Sequence, residues 1–274
     1  MDKKIILITG ASSGIGRDAA MMLSAAGHKV YGAARRTNLI PEGVVPLSMD
    51  VTDEASIDAA LETVIGQEGR IDVLVNNAGF GYFGAIENVS MEDARRQMEV
   101  NVFGLASLTR KVLPYMREQG RGRIINVSSV AGKVVLYFGG WYHVSKFAVE
   151  AFSDALRIET RPFGIDVVLI EPGAIFTDWG IIAADNLEAS SKGTVYEKEA
   201  LNEAASMRFM YSKMKGYIAD PSVVAKSIVR ASLSRRPKVR YHPGTGANLM
   251  RFFHWLLPAR WWDASMRLIG RKIV

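Results

Sequence analysis

The sequence predicts a single doubly wound α/β domain, with a seven-stranded parallel sheet flanked by helices. Three observations carry this reading. Short apolar runs alternate with helix-patterned segments along the chain. A glycine-rich turn, "TGASSGIG", stands between the first apolar run and the first helix. No internal repeat, low-complexity tract or linker divides the 274 residues, a length that one α/β domain reaches.

The elements follow in order. "KIILIT" is a continuous apolar run, the pattern of a parallel strand buried on both faces. "GRDAAMMLSAAG" reads as a helix closed by Gly27. "HKVYGAA" and "VVPLSMD" read as the second and third strands, the latter ending at Asp50. "DEASIDAALETVIGQEG" is a helix with acidic residues in its first turn, where the helix dipole favours them. "IDVLVNNAG" is a fourth strand running into a turn, "MEDARRQMEVNVFGLASLTRKVLPYMREQG" is long helical sequence, and "GRIINVSS" is the fifth strand. "YHVSKFAVEAFSDALRIETRPFG" reads as a helix and "IDVVLIEPG" as the sixth strand. A less regular stretch over about 175–220 is expected to form a substrate lid. "DPSVVAKSIVRASL" then gives a helix and "KVRYHP" the seventh strand. The βα alternation implies right-handed crossovers and a sheet covered on both faces.

Composition narrows the function classes. At 49% hydrophobic and 23% charged residues the chain has an ordinary globular make-up. It has no cysteine, which excludes disulfides, thiolate metal sites and a cysteine nucleophile and suits a reducing, cytoplasmic setting. "MDKKIILITG" lacks the pattern of a signal peptide, and no apolar run nears the roughly 18 residues of a membrane span. The net charge of +6 is dispersed rather than gathered into a nucleic-acid-binding arm. No His, Asp or Glu spacing suggests a metal.

In such a sheet ligands bind at the carboxyl ends of the strands. The first of these ends carries Gly10, Gly14 and Gly16, with Ser12, Ser13 and Ile15 between them. Glycine permits the tight turn and the close backbone approach that a pyrophosphate needs, and the helix start offers free N–H groups. No Lys-Ser/Thr pair follows, so this is not a nucleoside-triphosphatase loop. At the second strand end, where a carboxylate would select NAD, the chain reads "GAARRTN". Arg35 and Arg36 offer charge-assisted bonds to a 2′-phosphate, with Arg35 the first choice, so NADP(H) is favoured over NAD(H). Asp50, followed by Val51, either accepts from an adenine amino group or caps the next helix.

Two tyrosines stand four residues before a lysine, Tyr142 with Lys146 in "YHVSK" and Tyr211 with Lys215 in "YSKMK". Side chains four apart meet on one helix face, and an ammonium beside a phenol favours the phenolate. Only the first pair follows a strand bearing a serine, Ser129, 13 residues upstream. Tyr211 and Lys215 are expected to be lid or surface residues, and His143 to face the surface.

Together with "NNAG" (76–79), "VN" ending at Asn101, "INVSS" and "EPG" followed by Thr177, these motifs resemble the short-chain dehydrogenase/reductase family over about residues 4–180. The resemblance implies a doubly wound Rossmann fold and hydride transfer between a nicotinamide and a carbonyl or secondary alcohol. It implies Tyr142 as general acid or base, with its pKa lowered by Lys146 and the oxidised nicotinamide. It also implies that Lys146 binds the nicotinamide ribose, that Ser129 donates to the developing alkoxide, and that Asn101 holds a relay water. Asn77, Ala78 and Gly79, with Pro172, Gly173, Ile175 and Thr177, are expected to complete the cofactor site. Thr177 alternatively caps a turn. Family members are commonly dimers or tetramers, so a homodimer or homotetramer is expected.

Phe80, Tyr82, Phe83, Leu136, Phe138, Trp179, Met207, Phe209, Met210 and Met214 supply apolar walls, or core or interface. They suit a lipophilic ketone or alcohol of the steroid or retinoid kind. The rival readings are a reductase of small polar carbonyls and a non-catalytic NADP(H) sensor. The C-terminal 247–274 is aromatic, basic and broken by Pro258. Packing over the pocket or against another subunit is favoured there over contact with a membrane surface.

Overall fold

The computed structural model describes residues 2–214 and 217–269. Seven strands form one sheet in the order β3-β2-β1-β4-β5-β6-β7, every neighbouring pair parallel. They are β1 (Ile5–Thr9), β2 (Lys29–Ala34), β3 (Val45–Ser48), β4 (Val73–Asn76), β5 (Gly122–Val127), β6 (Ile165–Ile170) and β7 (Arg240–Tyr241). The strand order reverses between β1 and β4, which opens a crevice above that pair of carboxyl ends.

Alternation along each strand builds two cores. Ile6 and Ile8 of β1 meet α1 (Gly14–Ala25) and α8 (Pro221–Leu233) through Ala19, Leu23, Val224 and Ile228. Ile5 and Leu7 face the other way. They meet α2 (Glu54–Glu68) and α4 (Leu105–Glu118) through Ile57, Val64, Leu108 and Met116. α5 (Gly140–Thr160) packs beside α4 through Leu156.

Three expectations change. The long helix is α3 (Met91–Met98) joined to α4 by a wider π-helical turn, Glu99–Gly104. Asp50 does not cap α2; Asp53 does, accepting from the Ala55 N–H at 3.0 Å. The stretch 175–220 is mostly two packed helices, α6 (Trp179–Ser191) and α7 (Glu197–Lys213). Their contact uses Ala183, Ala184, Ala200 and Ala204, all fully buried, with Leu187 and Met207 beside them, so methyl groups set much of the close approach. Pro258 separates α9 (Ala247–Leu256) from α10 (Ala259–Ile269), as the sequence indicates. No helix among the described residues is long and apolar enough to cross a membrane.

Candidate active site

A cleft of about 1420 Å3 runs across the carboxyl ends of the strands. That exceeds the usual volume of a single small-molecule pocket, about 300–1,000 Å3, and fits a dinucleotide with a second reactant.

One end is built by the glycine loop. Gly10 takes φ +67°, and a Cβ there would meet Asn77 Nδ2 at 2.9 Å. A Cβ on Gly16 would lie 2.4 Å from the same atom and 2.5 Å from Gly10 O. Asn77 holds this loop against β4 by donating to Thr9 O at 3.0 Å and Gly10 O at 3.3 Å. Thr9 Oγ1 in turn accepts from the Asn77 and Ala78 N–H groups at 3.0 Å each. Gly16 is absent from the cleft wall and serves this packing, whereas Gly10, Ser12, Ser13, Gly14 and Ile15 line the cleft. The side chain of Ser13 makes no cap bond to the helix it precedes. A bare-backbone cradle at a helix start is what a pyrophosphate requires.

Arg35 and Arg36 follow β2, are both exposed, and both line the cleft. Neither has a carboxylate within ion-pair distance among the described residues. Asp50 and Val51 stand beside them. Burial pushes the Asp50 carboxyl up, but hydrogen bonds from Thr52 and the charges of Arg35 and Arg96 outweigh it and hold Asp50 below the usual range. Its Oδ1 already accepts from Thr52 N at 3.0 Å and Thr52 Oγ1 at 2.7 Å.

The other end gathers Ser129, Tyr142, Lys146, Pro172, Gly173, Ile175 and Thr177. Thr177 reaches the glycine loop, since its Cγ2 is 3.9 Å from where a Gly14 Cβ would stand. Ser129 follows β5, and its Oγ donates to Pro172 O at 3.4 Å and accepts from the Ala131 N–H at 3.1 Å, beside the Tyr142 phenol. Lys146 is buried and donates to Val127 O at 3.0 Å, leaving two N–H groups, and its Nζ lies 5.9 Å from the Tyr142 ring centroid. Burial lowers Lys146 to about 8, with Glu150 offsetting part of the effect.

The protein by itself does not lower the Tyr142 pKa. Burial pushes this phenol up to about 12, against the lowering effect of the neighbouring Ser129 hydroxyl, and the nearby Tyr211 raises it further. Tyr142 is therefore held neutral, the form that gives a proton to a carbonyl oxygen. The Asn101 side chain is tied into the protein. It is 1% exposed. Nδ2 donates to Phe80 O at 2.8 Å and Ser145 Oγ at 3.0 Å, while Oδ1 accepts from Phe80 N at 3.0 Å. The side chain braces the loop after β4 rather than facing the cleft, because the π-helical turn swings it onto that loop.

Three residues take places the sequence did not indicate. His143 is 2% exposed, not on the surface. Its Nδ1 contacts Ala131 O at 2.9 Å and its Nε2 accepts from Leu136 N–H at 3.0 Å, so it fixes the loop between β5 and α5. Tyr211 lines the cleft near Tyr142, because α7 turns back over the strand ends. A Cβ on Gly180 would lie 2.2 Å from its ring, so that glycine admits it. The paired Lys215 lies outside the described residues. Glu203, about two turns before Tyr211 on α7, also lines the cleft, and burial raises its carboxyl above the ordinary range. Fourfold spacing alone says nothing of which way a helix faces, so no local signal marked these three.

Phe83, Tyr142 and Trp179 form an aromatic cluster. The Phe83–Trp179 centroids are 5.5 Å apart at 88°, and the Phe83–Tyr142 centroids 5.9 Å apart. Met207, Met210 and Met214 of the α7 side continue the wall.

The short chain dehydrogenase family model matches residues 4–186. A probable short-chain type dehydrogenase/reductase, VdlC, of Helicobacter pylori is 38% identical over 272 residues, covering 97% of this chain and 98% of that protein. A 3-ketodihydrosphingosine reductase of Bacteroides thetaiotaomicron is 48% identical over 181 residues, 65% of this chain and 67% of that one. An NADPH-dependent 3-dehydrocapnine reductase of Ornithobacterium rhinotracheale is 34% identical over 273 residues, 94% of each chain. Among solved structures, a short-chain dehydrogenase from Streptomyces avermitilis superposes with a TM-score of 0.79 at 33% identity, covering 98% of both chains.

Proposed function

The chain belongs to the short-chain dehydrogenase family, an oxidoreductase family, and on that premise we propose that it is an NADPH-dependent reductase of lipophilic ketones. The observation that carries the substrate class is the wall around Tyr142, built by Phe83, Trp179, Met207, Met210 and Tyr211. Such a wall rewards apolar surface on a ligand, with Ser129 and Tyr142 at its centre to receive the carbonyl oxygen. Arg35 and Arg36 support the choice of NADP(H). Two of the relatives are named for reduction of a keto compound, one of them with NADPH.

When bound, the dinucleotide supplies the hydride. Ser13, Gly14 and Ile15 would hold its pyrophosphate, Arg35 its 2′-phosphate and Lys146 its nicotinamide ribose. Ser129 donates a hydrogen bond to the carbonyl oxygen of the substrate. Tyr142 gives that oxygen its proton, and its raised pKa favours this direction. Lys146, at about 8, is poised to steady the phenolate left behind and to reprotonate it. The set of proton-handling side chains favours turnover over mere sensing.

The test is a panel of steroid, retinoid, long-chain keto-lipid and small polar ketones, each assayed with NADPH and NADH. Reduction of the apolar members with NADPH is expected. Turnover confined to small polar carbonyls, or none at all, overturns the reading.

A further inference from the structure

We propose that α9 and α10 form an interfacial docking surface that seats this protein on an anionic lipid bilayer. The helix pair has two unlike faces. The inner face carries Met250, Leu257, Trp262 and Met266, which pack on Val130, Val134 and Leu136. Trp262 Nε1 donates to Val135 O at 3.3 Å, and Arg251 of α9 reaches the buried Glu171, so the pair is fastened to the body. Met250 and Met266 also line the cleft, which makes this pair part of its rim.

The outer face is apolar where solvent should find polar groups. Leu249, Phe252, Phe253 and Leu256 recur at the spacing of one helix face and are 60, 52, 42 and 53% exposed. Trp255 and Trp261 are 79 and 70% exposed. An amphipathic helix in a water-soluble domain turns such a stripe inward, and a contiguous exposed patch of this kind marks a partner surface. Tryptophan and phenylalanine standing out beside arginine are the composition that settles at the headgroup level of a bilayer.

Charge selects the occupant. Arg260 and Arg267 are exposed and have no carboxylate partner among the described residues, and Asp263 is the one acidic residue between Ala247 and Ile269. Two-fold contact with a second copy would set these arginines against their own duplicates over an apolar centre. An anionic bilayer meets both the apolar stripe and the arginines, each of which contributes near the surface. The docking stands on this surface alone. That it also brings the cleft rim to the phase where a lipophilic ketone partitions rests on the reading of the previous subsection.

Flotation of the full chain with vesicles tests it. One set is phosphatidylcholine alone, and the other contains about a third phosphatidylglycerol. The wild type is expected to float with the anionic vesicles. Phe252→Ser combined with Trp255→Ser, both exposed positions, is expected to lose at least about tenfold in partitioning while its melting temperature and its fluorescence-detected NADPH binding stay unchanged. Arg260→Glu combined with Arg267→Glu is expected to lose the preference for phosphatidylglycerol. Absence of flotation by the wild type, or equal flotation by the aromatic variant, overturns the proposal. So does a wild-type dimer in light scattering that stays with the protein fraction and becomes monomeric in the aromatic variant. The flotation readout needs no turnover, so failure of the reductase assignment leaves it intact.

Discussion

The indole of Trp179 lies 5.1 Å from the ring of Tyr142, centroid to centroid, at 51°. A residue at the start of α6 thus touches the proposed proton donor itself. Trp179 closes on a space left by Gly81, where a Cβ would meet the indole at 2.5 Å. Replacing Trp179 by Ala should raise KM for bulky apolar ketones by about tenfold, as losing one large apolar contact does. The kcat for a small ketone should change little. Steady-state kinetics on a matched pair of ketones checks this.

Tyr142→Phe should abolish reduction while leaving NADPH binding and melting temperature near wild type. In the proposed reaction the phenol gives the proton, and the ring packing with Phe83 and Trp179 survives the change. Activity within about tenfold of wild type would show that another group is the acid.

The pH profile should name Lys146. Tyr142, at about 12, stays protonated across the working range, so it gives no falling limb there. Lys146, at about 8, loses its proton as pH rises, and kcat for reduction should fall through that value. The linkage to stability has the opposite sense. Below about 8 the folded state holds a desolvated ammonium, and this costs on the order of 3 kcal/mol. Between about 8 and the unfolded value near 10.4 the unfolded chain binds the extra proton, so this group makes stability rise with pH. Lys146→Met should therefore be inactive yet melt no lower than wild type at pH 7, by calorimetry beside the assay.

Arg35→Ala should raise KM for NADPH by about tenfold or more and leave NADH nearly unaffected, since one charge-assisted bond is worth roughly 1.5–3 kcal/mol. Arg36→Ala tests which of the two exposed guanidinium groups makes the contact. An unchanged cofactor ratio in both single variants and the double variant would remove the 2′-phosphate assignment.

Glu171 anchors the C-terminal helices and should behave as a stability residue. It is fully buried, with Arg240 Nε at 2.8 Å and His242 Nδ1 at 3.2 Å. Burial pushes its carboxyl up, but the neighbouring His242 and the charges of Arg251 and Lys133 outweigh this and hold it below the ordinary range. A depressed carboxyl contributes stability above its unfolded value near 4.3, and that contribution is lost as pH falls through the folded value. Glu171→Gln should cost about 1.5–3 kcal/mol at pH 7, because it removes the charge-assisted contacts to Arg240, His242 and Arg251 while Arg240 keeps Asp154. Calorimetry, with hydrogen exchange in α9, measures both effects.

Most of the frame was legible in the sequence because its signals are local. Glycines at 10, 14 and 16 dictate a turn and a close approach wherever they stand, and β1 and α1 fall on either side of them. The apolar runs gave all seven strands, although the last shrank to Arg240–Tyr241, where only an edge pairing with β6 remains. The alanine-mediated α6–α7 contact was not legible, because methyl groups leave no amphipathic contrast to read.

Sequence by itself determined the sheet, the phosphate cradle, the arginines at the end of β2 and the Ser129–Tyr142–Lys146 spacing, since each depends on neighbours along the chain. Tertiary structure alone decided what each group experiences. It buried His143, turned Asn101 onto Phe80, raised Tyr142 and carried Tyr211 to its side. It also left the stripe of Leu249, Phe252, Phe253 and Leu256 facing outward. Burial, electrostatic coupling and the facing of a helix are set by segments distant in the chain, and no local pattern encodes them.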